Sequence, residues 1–158
     1  MKAIVVTDEA AGTAGMTLVQ RPEPAPAIND VIVEIHASGF VATEMAWPST
    51  WTDRRDRDRT PTIPEHELAG VVSALGHGTA GVSVGQRVLG LADWYRDGSL
   101  AEYVAIEARN LAPLPGDVDF TVGASLRSNS RWNKAGRPTR ICGTLRASSA
   151  SVSAPAET

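Results

Sequence analysis

Residues Asp30–Ser38 carry the pattern that most limits what this chain can fold into. Val31, Val33, Ile35 and Ala37 interleave with Ile32, Glu34, His36 and Ser38. Successive side chains of an extended chain point to opposite faces, so this period of two predicts a half-buried strand, stopped by Gly39. A strand needs partners for its backbone N–H and C=O groups, and the neighbouring sequence offers them. Lys2–Thr7 is rich in Val and Ile, and Met16–Gln20 is placed to pair with it. Leu68–Leu75 and Arg87–Leu91 are apolar runs of strand length, Ser99–Ile106 alternates again, and Asn110–Leu114 is a short strand ending at Pro115-Gly116. Between the second and third strands Pro22, Pro24 and Pro26 fix φ and remove backbone donors, which forbids regular structure there. Phe40–Trp47 has room for one or two helical turns, Pro48–Thr60 is a polar loop, and Asp117 or Asp119 is placed to cap a helix from Phe120. Short strands with few helices predict a mainly β domain, a partly open barrel followed by a tail. Strands do not alternate with long helices, which excludes a doubly wound sheet.

Charge marks where that domain ends. Residues 1–126 hold nine Lys and Arg against 17 Asp and Glu, whereas residues 127–158 hold six against one. Large apolar residues also thin out after Leu126. The expected organisation is therefore a domain over 1–126 and a basic, Ser/Ala-rich, disordered tail over 127–158. The net charge of -3 makes no general case for nucleic acid or an anionic membrane. Cys142 is the single cysteine, so neither a disulfide framework nor a multi-cysteine zinc site is expected, and a reducing, cytoplasmic location suits it. MKAIVVTDEA is too short in apolar residues for a signal-peptide core, and no run approaches the roughly 18 apolar residues of a membrane helix.

The densest polar constellation is Glu65-His66-Glu67, just before the Leu68–Leu75 run. Glu65 is expected to be exposed. In an extended segment Glu65 and Glu67 point the same way, which is weak support for paired acid/base chemistry. His66 has two readings: a hydrogen-bonded histidine at a strand start, or a cleft residue that contacts a ligand and moves a proton near neutral pH. Gly76-His77-Gly78-Thr79-Ala80-Gly81 spells G-x-G-x-x-G. A dinucleotide fingerprint needs a helix opening at its last glycine, and Val82–Val88 is strand and turn, so these glycines are a β turn. Trp47, Trp51, Trp94 and Tyr95 sit in loops, where they either line an apolar substrate pocket or pack the domain's own lid. In the tail, Lys134-Ala135-Gly136-Arg137-Pro138 has the flavour of a minor-groove arm, but in one copy with sparse basic flanks.

Several blocks in order resemble a known family: MKAIVV, VIVEIHASGF, PEHELAGVV, VGQRVLG and GSLAEYVAIEARNLAPLP. Together they resemble the N-terminal, GroES-like domain of the medium-chain dehydrogenase/reductase superfamily, that of alcohol dehydrogenases and quinone oxidoreductases. The match runs over about residues 1–126. The resemblance implies hydride transfer between NAD(P)H and a carbonyl, alcohol, quinone or activated alkene. It also implies a Rossmann cofactor domain reached through a helix after Gly123-Ala124-Ser125-Leu126. Residues 127–158 resemble nothing in the family, so the chain is expected to be truncated, with that domain absent and little activity alone.

The resemblance also assigns candidate residues. In zinc-dependent members a Cys follows the Ala-x-Gly-x segment; here Ala37-Ser38-Gly39-Phe40 is followed by Val41. His66 and Glu67 match the family's His-Glu pair, with Glu65 where a glycine is usual. Two ligands are too few for a tight zinc site, so zinc is not expected. Glu67 is expected to tie the corner to backbone donors. Thr43 falls where zinc-dependent members place a proton-relaying hydroxyl. Without zinc it either bonds substrate or the nicotinamide ribose, or is a helix N-cap or first-turn residue. Quinone oxidoreductases often carry Asn where Val41 stands. The candidate set is Thr43 and His66 as catalytic residues, with Val41, Trp47, Trp51, Glu67 and Trp94 lining the pocket. The expected partners are a small carbonyl, enone or quinone and a further copy of the chain, without membrane or nucleic acid. The alternative is a non-enzymatic β-barrel binding module whose basic tail contacts nucleic acid or a protein.

Overall fold

The computed structural model describes residues 1–125; the tail predicted to be disordered, its Lys134–Pro138 motif and Cys142 lie outside the described residues. Seven strands form two antiparallel sheets. β1 (Lys2–Val5) pairs with β2 (Thr17–Gln20), as expected. The larger sheet runs in the order β6-β3-β4-β5-β7, from β3 (Asp30–Ser38), β4 (Glu67–Leu75), β5 (Arg87–Leu91), β6 (Tyr103–Glu107) and β7 (Leu111–Pro113). The domain is mainly β with an open, unclosed sheet, in agreement with the strand pattern of the sequence.

β3 and β5 have the bounds that the alternation predicts, but β3 is not half-buried along its whole length. Asp30, Val31, Ile32 and Val33 are all buried, and only from Glu34 onward does one face open to solvent. The register against β4 shifts between Ile32 and Val33 and again between Ile35 and Ala37. Val31 and Val33 join Leu68, Val72, Val88, Val104 and Ile106 in the main core.

The stretch predicted as one strand over Ser99–Ile106 divides its pairing. Leu100 and Glu102 bond to β1, through Ile4 N–H to the Leu100 carbonyl (2.8 Å) and Glu102 N–H to the Lys2 carbonyl (3.1 Å). From Tyr103 onward the chain pairs with β3 instead. One alternating sequence thus serves both sheets and ties them together.

The G-x-G-x-x-G string is the β4–β5 connection and opens no helix. Gly78 (φ +78°) and Gly81 (φ +83°) take left-handed conformations that suit glycine. α2 (Phe120–Ser125) starts where predicted, with the Asp119 carboxylate accepting the Thr121 N–H at 2.7 Å. Its Phe120 ring stacks on His36 at 4.4 Å and lies under the Arg87 guanidinium at 4.3 Å.

Candidate active site

Three connections meet at one corner: the segment after β3, the residues leading into β4, and the loop after β5. Backbone bonds set their spacing. Gly39 N–H donates to the Glu67 carbonyl at 3.0 Å, Ala92 N–H to the His66 carbonyl at 2.8 Å, and Ser99 N–H to the Glu65 carbonyl at 2.7 Å. The segment after β3 forms a 3-10 turn over Ala42–Ala46 and then the short helix α1 (Pro48–Trp51). The break between them falls at Trp47, because a residue before proline is pushed out of the helical region while Pro48 suits a first helical position. The sequence predicted a polar loop across Pro48–Trp51; the structure forms a helical turn there.

The 3-10 turn buries Glu44, whose side chain organises the corner. Its Oε2 accepts the Glu65 N–H at 3.1 Å and faces His66 Nδ1 at 2.9 Å. A carboxylate only accepts, so Nδ1 carries a proton in this contact. His66 is 2 % exposed, and its Nε2 has no hydrogen-bond partner among the described residues. The ring packs against the Trp94 indole at 4.7 Å between centroids, and Trp94 meets Trp47 edge-on at 5.1 Å.

Glu65, expected to be exposed, is 1 % exposed. Its φ of +66° places it in the left-handed region. Its Oε2 accepts the Val41 N–H at 2.8 Å, while Oε1 is buried without a partner among the described residues. Desolvation raises its pKa first, then the charge of Glu44 and to a lesser degree that of Glu67, against the lowering effect of the Val41 N–H; the result is about 7. The folded state therefore holds a proton that the unfolded chain releases near pH 4.5. Stability is undiminished below that pH, falls as pH rises toward 7, and levels off above it, by roughly 3 kcal/mol in all from this group. Urea denaturation at pH 5 and pH 8 checks this. Glu65→Gln is expected to flatten the pH slope and to be more stable than the wild-type chain at pH 8; an unchanged slope refutes the assignment.

The structure brings His66, Trp94 and Trp47 together, and joins Val41 to the same corner through Glu65. Of the remaining candidates, Thr43 and Trp51 stand apart from them, while Glu67 joins the corner at Gly39. Thr43 is exposed on the 3-10 turn, and the turn's N-cap is Val41, with no side-chain cap. Trp51 is 8 % exposed and packs with Val6 and Met45 in a core cluster, its indole N–H donating to the Met45 carbonyl at 2.9 Å. It is a packing residue with no face on the His66–Trp94 contact. Glu67 ties the corner through its backbone: its carbonyl accepts the Gly39 N–H and the Ser99 hydroxyl (2.9 Å). Its side chain lies against Gly39, where an added Cβ would stand 2.9 Å from the Glu67 Cβ. Glu65 and Glu67 thus both face the Gly39–Val41 segment. Sequence reasoning passed over Glu44. The one signal it left is a carboxylate set among Ala42, Met45, Ala46 and Trp47.

Among the described residues no group of three His, Cys, Asp or Glu side chains converges to hold a metal ion. Val41 offers only its backbone, and Glu44 occupies one imidazole nitrogen. These residues do not fit a tetrahedral zinc, which takes three protein ligands even in an open site.

An antiparallel open sheet with this corner at the end of β3 defines the architecture. Residues 27–116 match the alcohol dehydrogenase GroES-like domain, and the chain belongs to that family, within the medium-chain dehydrogenase/reductase superfamily. Among curated proteins it is 29% identical over 138 residues to the L-threonine 3-dehydrogenase of Ruegeria pomeroyi, covering 71% of this chain and 40% of that enzyme. It is 29% identical over 103 residues to the quinone oxidoreductase of Rattus norvegicus, covering 65% of this chain and 30% of the relative. An alcohol dehydrogenase superfamily protein from Novosphingobium aromaticivorans superposes with a TM-score of 0.63 at 29% identity, over 76% of this chain and 36% of that one. The chain therefore spans well under half the length of these relatives. Among the described residues no helix is long and apolar enough to cross a membrane.

Proposed function

We propose that residues 1–125 form the substrate side of a zinc-independent, NAD(P)-dependent oxidoreductase that reduces a quinone, an enone or a carbonyl. The observation that carries this is the buried Glu44–His66 pair beside Trp94, with an unpartnered Nε2. A bound nicotinamide would supply the hydride. The described residues bind, orient and protonate. Trp94 and Trp47 offer flat apolar faces to a planar substrate. His66 moves a proton at Nε2, and Glu44 at Nδ1 fixes the ring and stabilises its cationic form. Nε2 is buried in this structure, so a substrate reaches it only if the packing around the ring opens. The 158-residue chain by itself is proposed to turn over little or no substrate, because the G-x-G-x-x-G string is a β turn and not a pyrophosphate cradle.

Two measurements test the reading separately. NADPH oxidation by the purified chain with a quinone or an enone is expected to stay at the uncatalysed rate; enzyme-dependent turnover overturns the claim of inactivity. In an NMR titration with an enone, the indole N–H signals of Trp94 and Trp47 are expected to shift saturably, while that of the core Trp51 stays still. If Trp51 moves with them, or none moves, the corner is not the substrate side.

A further inference from the structure

A cavity of about 440 Å³ is lined by Arg21, Arg59, Arg96, Asp97, Tyr95 and Tyr103, with apolar contributions from Ile63 and Val104. Such a volume suits a small molecule. Its charges are unequally matched. Arg96 is bound in a two-pronged pair to the buried Asp30, at 3.0 Å and 2.5 Å. Arg21 lies 3.6 Å from Asp97, and its Nη1 donates to the Pro61 carbonyl at 3.1 Å. Asp97 also accepts the Ile63 N–H at 3.2 Å.

Arg59 is left over. It makes no ion pair among the described residues, although it is only partly exposed. The acidic residues around it have other partners: Asp93 pairs with Arg54, Asp53 with Arg57, and Asp97 with Arg21. Its side-chain hydrogen bonds all run through Nη1, to the Ser49 and Trp94 carbonyls. The Nε–Nη2 edge, the side of a guanidinium that grips a carboxylate with two parallel bonds, has no partner among the described residues. Burial of this unpaired cation pulls its pKa below arginine's ordinary value, and the more distant charges of Asp97, Asp93 and Asp53 only partly oppose it.

We propose that this cavity is a binding site for a small organic carboxylate, gripped by the free edge of Arg59 with Arg21 beside it, while Tyr95, Ile63 and Val104 receive its apolar body. A bare metal cation is disfavoured by the same surplus of positive charge. The site is separate from the His66 corner but joined to it in one respect: the Trp94 carbonyl accepts from Arg59 Nη1 at 3.3 Å. Occupancy is therefore read out at the loop that carries the Trp94 ring. The proposal does not depend on the chain's being an oxidoreductase.

Benzoate is the probe, with benzyl alcohol as its uncharged counterpart and inorganic phosphate as the competing anion. In an NMR titration of the full chain, benzoate is expected to bind saturably with Kd of about 1 mM or tighter, shifting the Arg59 Nε–H and the backbone of Tyr95. Arg59→Lys keeps the charge and loses the fork, and is expected to weaken binding about tenfold. Arg21→Gln, on a partly exposed side chain, is expected to weaken it a few-fold and remains informative should the Arg59 variant fail to fold. Equal binding of benzoate and benzyl alcohol, unchanged affinity in a folded variant, tighter binding of phosphate, or the absence of saturable binding each overturns the assignment.

Discussion

Gly98→Ala is expected to destabilise the domain by about 3 kcal/mol or more. A Cβ at this position would stand 2.5 Å from the Pro64 carbonyl oxygen and closer still to that of Glu65. Both obstacles are backbone, and neither is free to move. Ser99 N–H donates to the Glu65 carbonyl, and Leu100 N–H to the Pro64 carbonyl. The strain thus falls on the segment that presents His66. A control separates this from a general intolerance of substitution: Gly116 has nothing within 4 Å of an added Cβ, and Gly116→Ala is expected to change stability by less than about 0.5 kcal/mol. Thermal unfolding checks both, with a fall of roughly 10 °C for the first and almost none for the second. A Gly98→Ala chain that melts with the wild type would show that the corner yields easily.

Glu44→Ala is the second large effect. It removes the acceptor of two buried donors, the Glu65 N–H and His66 Nδ1. A buried donor left unsatisfied costs about 1–3 kcal/mol, so two cost about 2–6 kcal/mol, before the vacated volume is counted. One term opposes this: the negative charge that raises the Glu65 pKa disappears, so Glu65 titrates lower than in the wild-type chain. Glu44→Gln keeps the shape and one acceptor oxygen, and is expected to fall between the two. Urea denaturation gives the free energies, and the carboxyl resonance of Glu65 followed against pH gives the titration. A loss of under about 1 kcal/mol for Glu44→Ala would mean that this glutamate does not hold the corner together. The same variant bears on the proposed proton transfer, because without Glu44 nothing holds the His66 ring in one tautomer.

These two residues show where the sequence was silent. The bounds of β3 and β5, the pairing of β1 with β2, the glycine turn and the start of α2 follow from patterns a few residues long: alternation, proline and glycine placement, and a capping aspartate. The burial of Glu65 does not. An acidic residue between Pro64 and His66 has every local reason to be exposed, and its partner, Val41, lies 24 positions earlier. Glu44 reaches Glu65 and His66 across 21 and 22 positions. Asp30 meets Arg96 across 66. Trp51 shared its residue type with Trp47 and Trp94 and its segment with Trp47, and only packing against Val6 and Met45 distinguished it.

The sequence by itself determined that this chain builds an open, mainly β domain, because strand periodicity and turn chemistry are written into neighbouring residues; its GroES-like kind was carried by the resemblance of its ordered blocks. The tertiary structure alone decided which polar side chains are buried together. Burial of a charge depends on what the sheet brings next to it, and strand pairing joins residues whose separation along the chain carries no trace of the contact. The His66 corner was visible as residue types. The Glu44–His66–Glu65 arrangement, and the unpaired Arg59 on its own cavity, became visible only when the chain had closed around them.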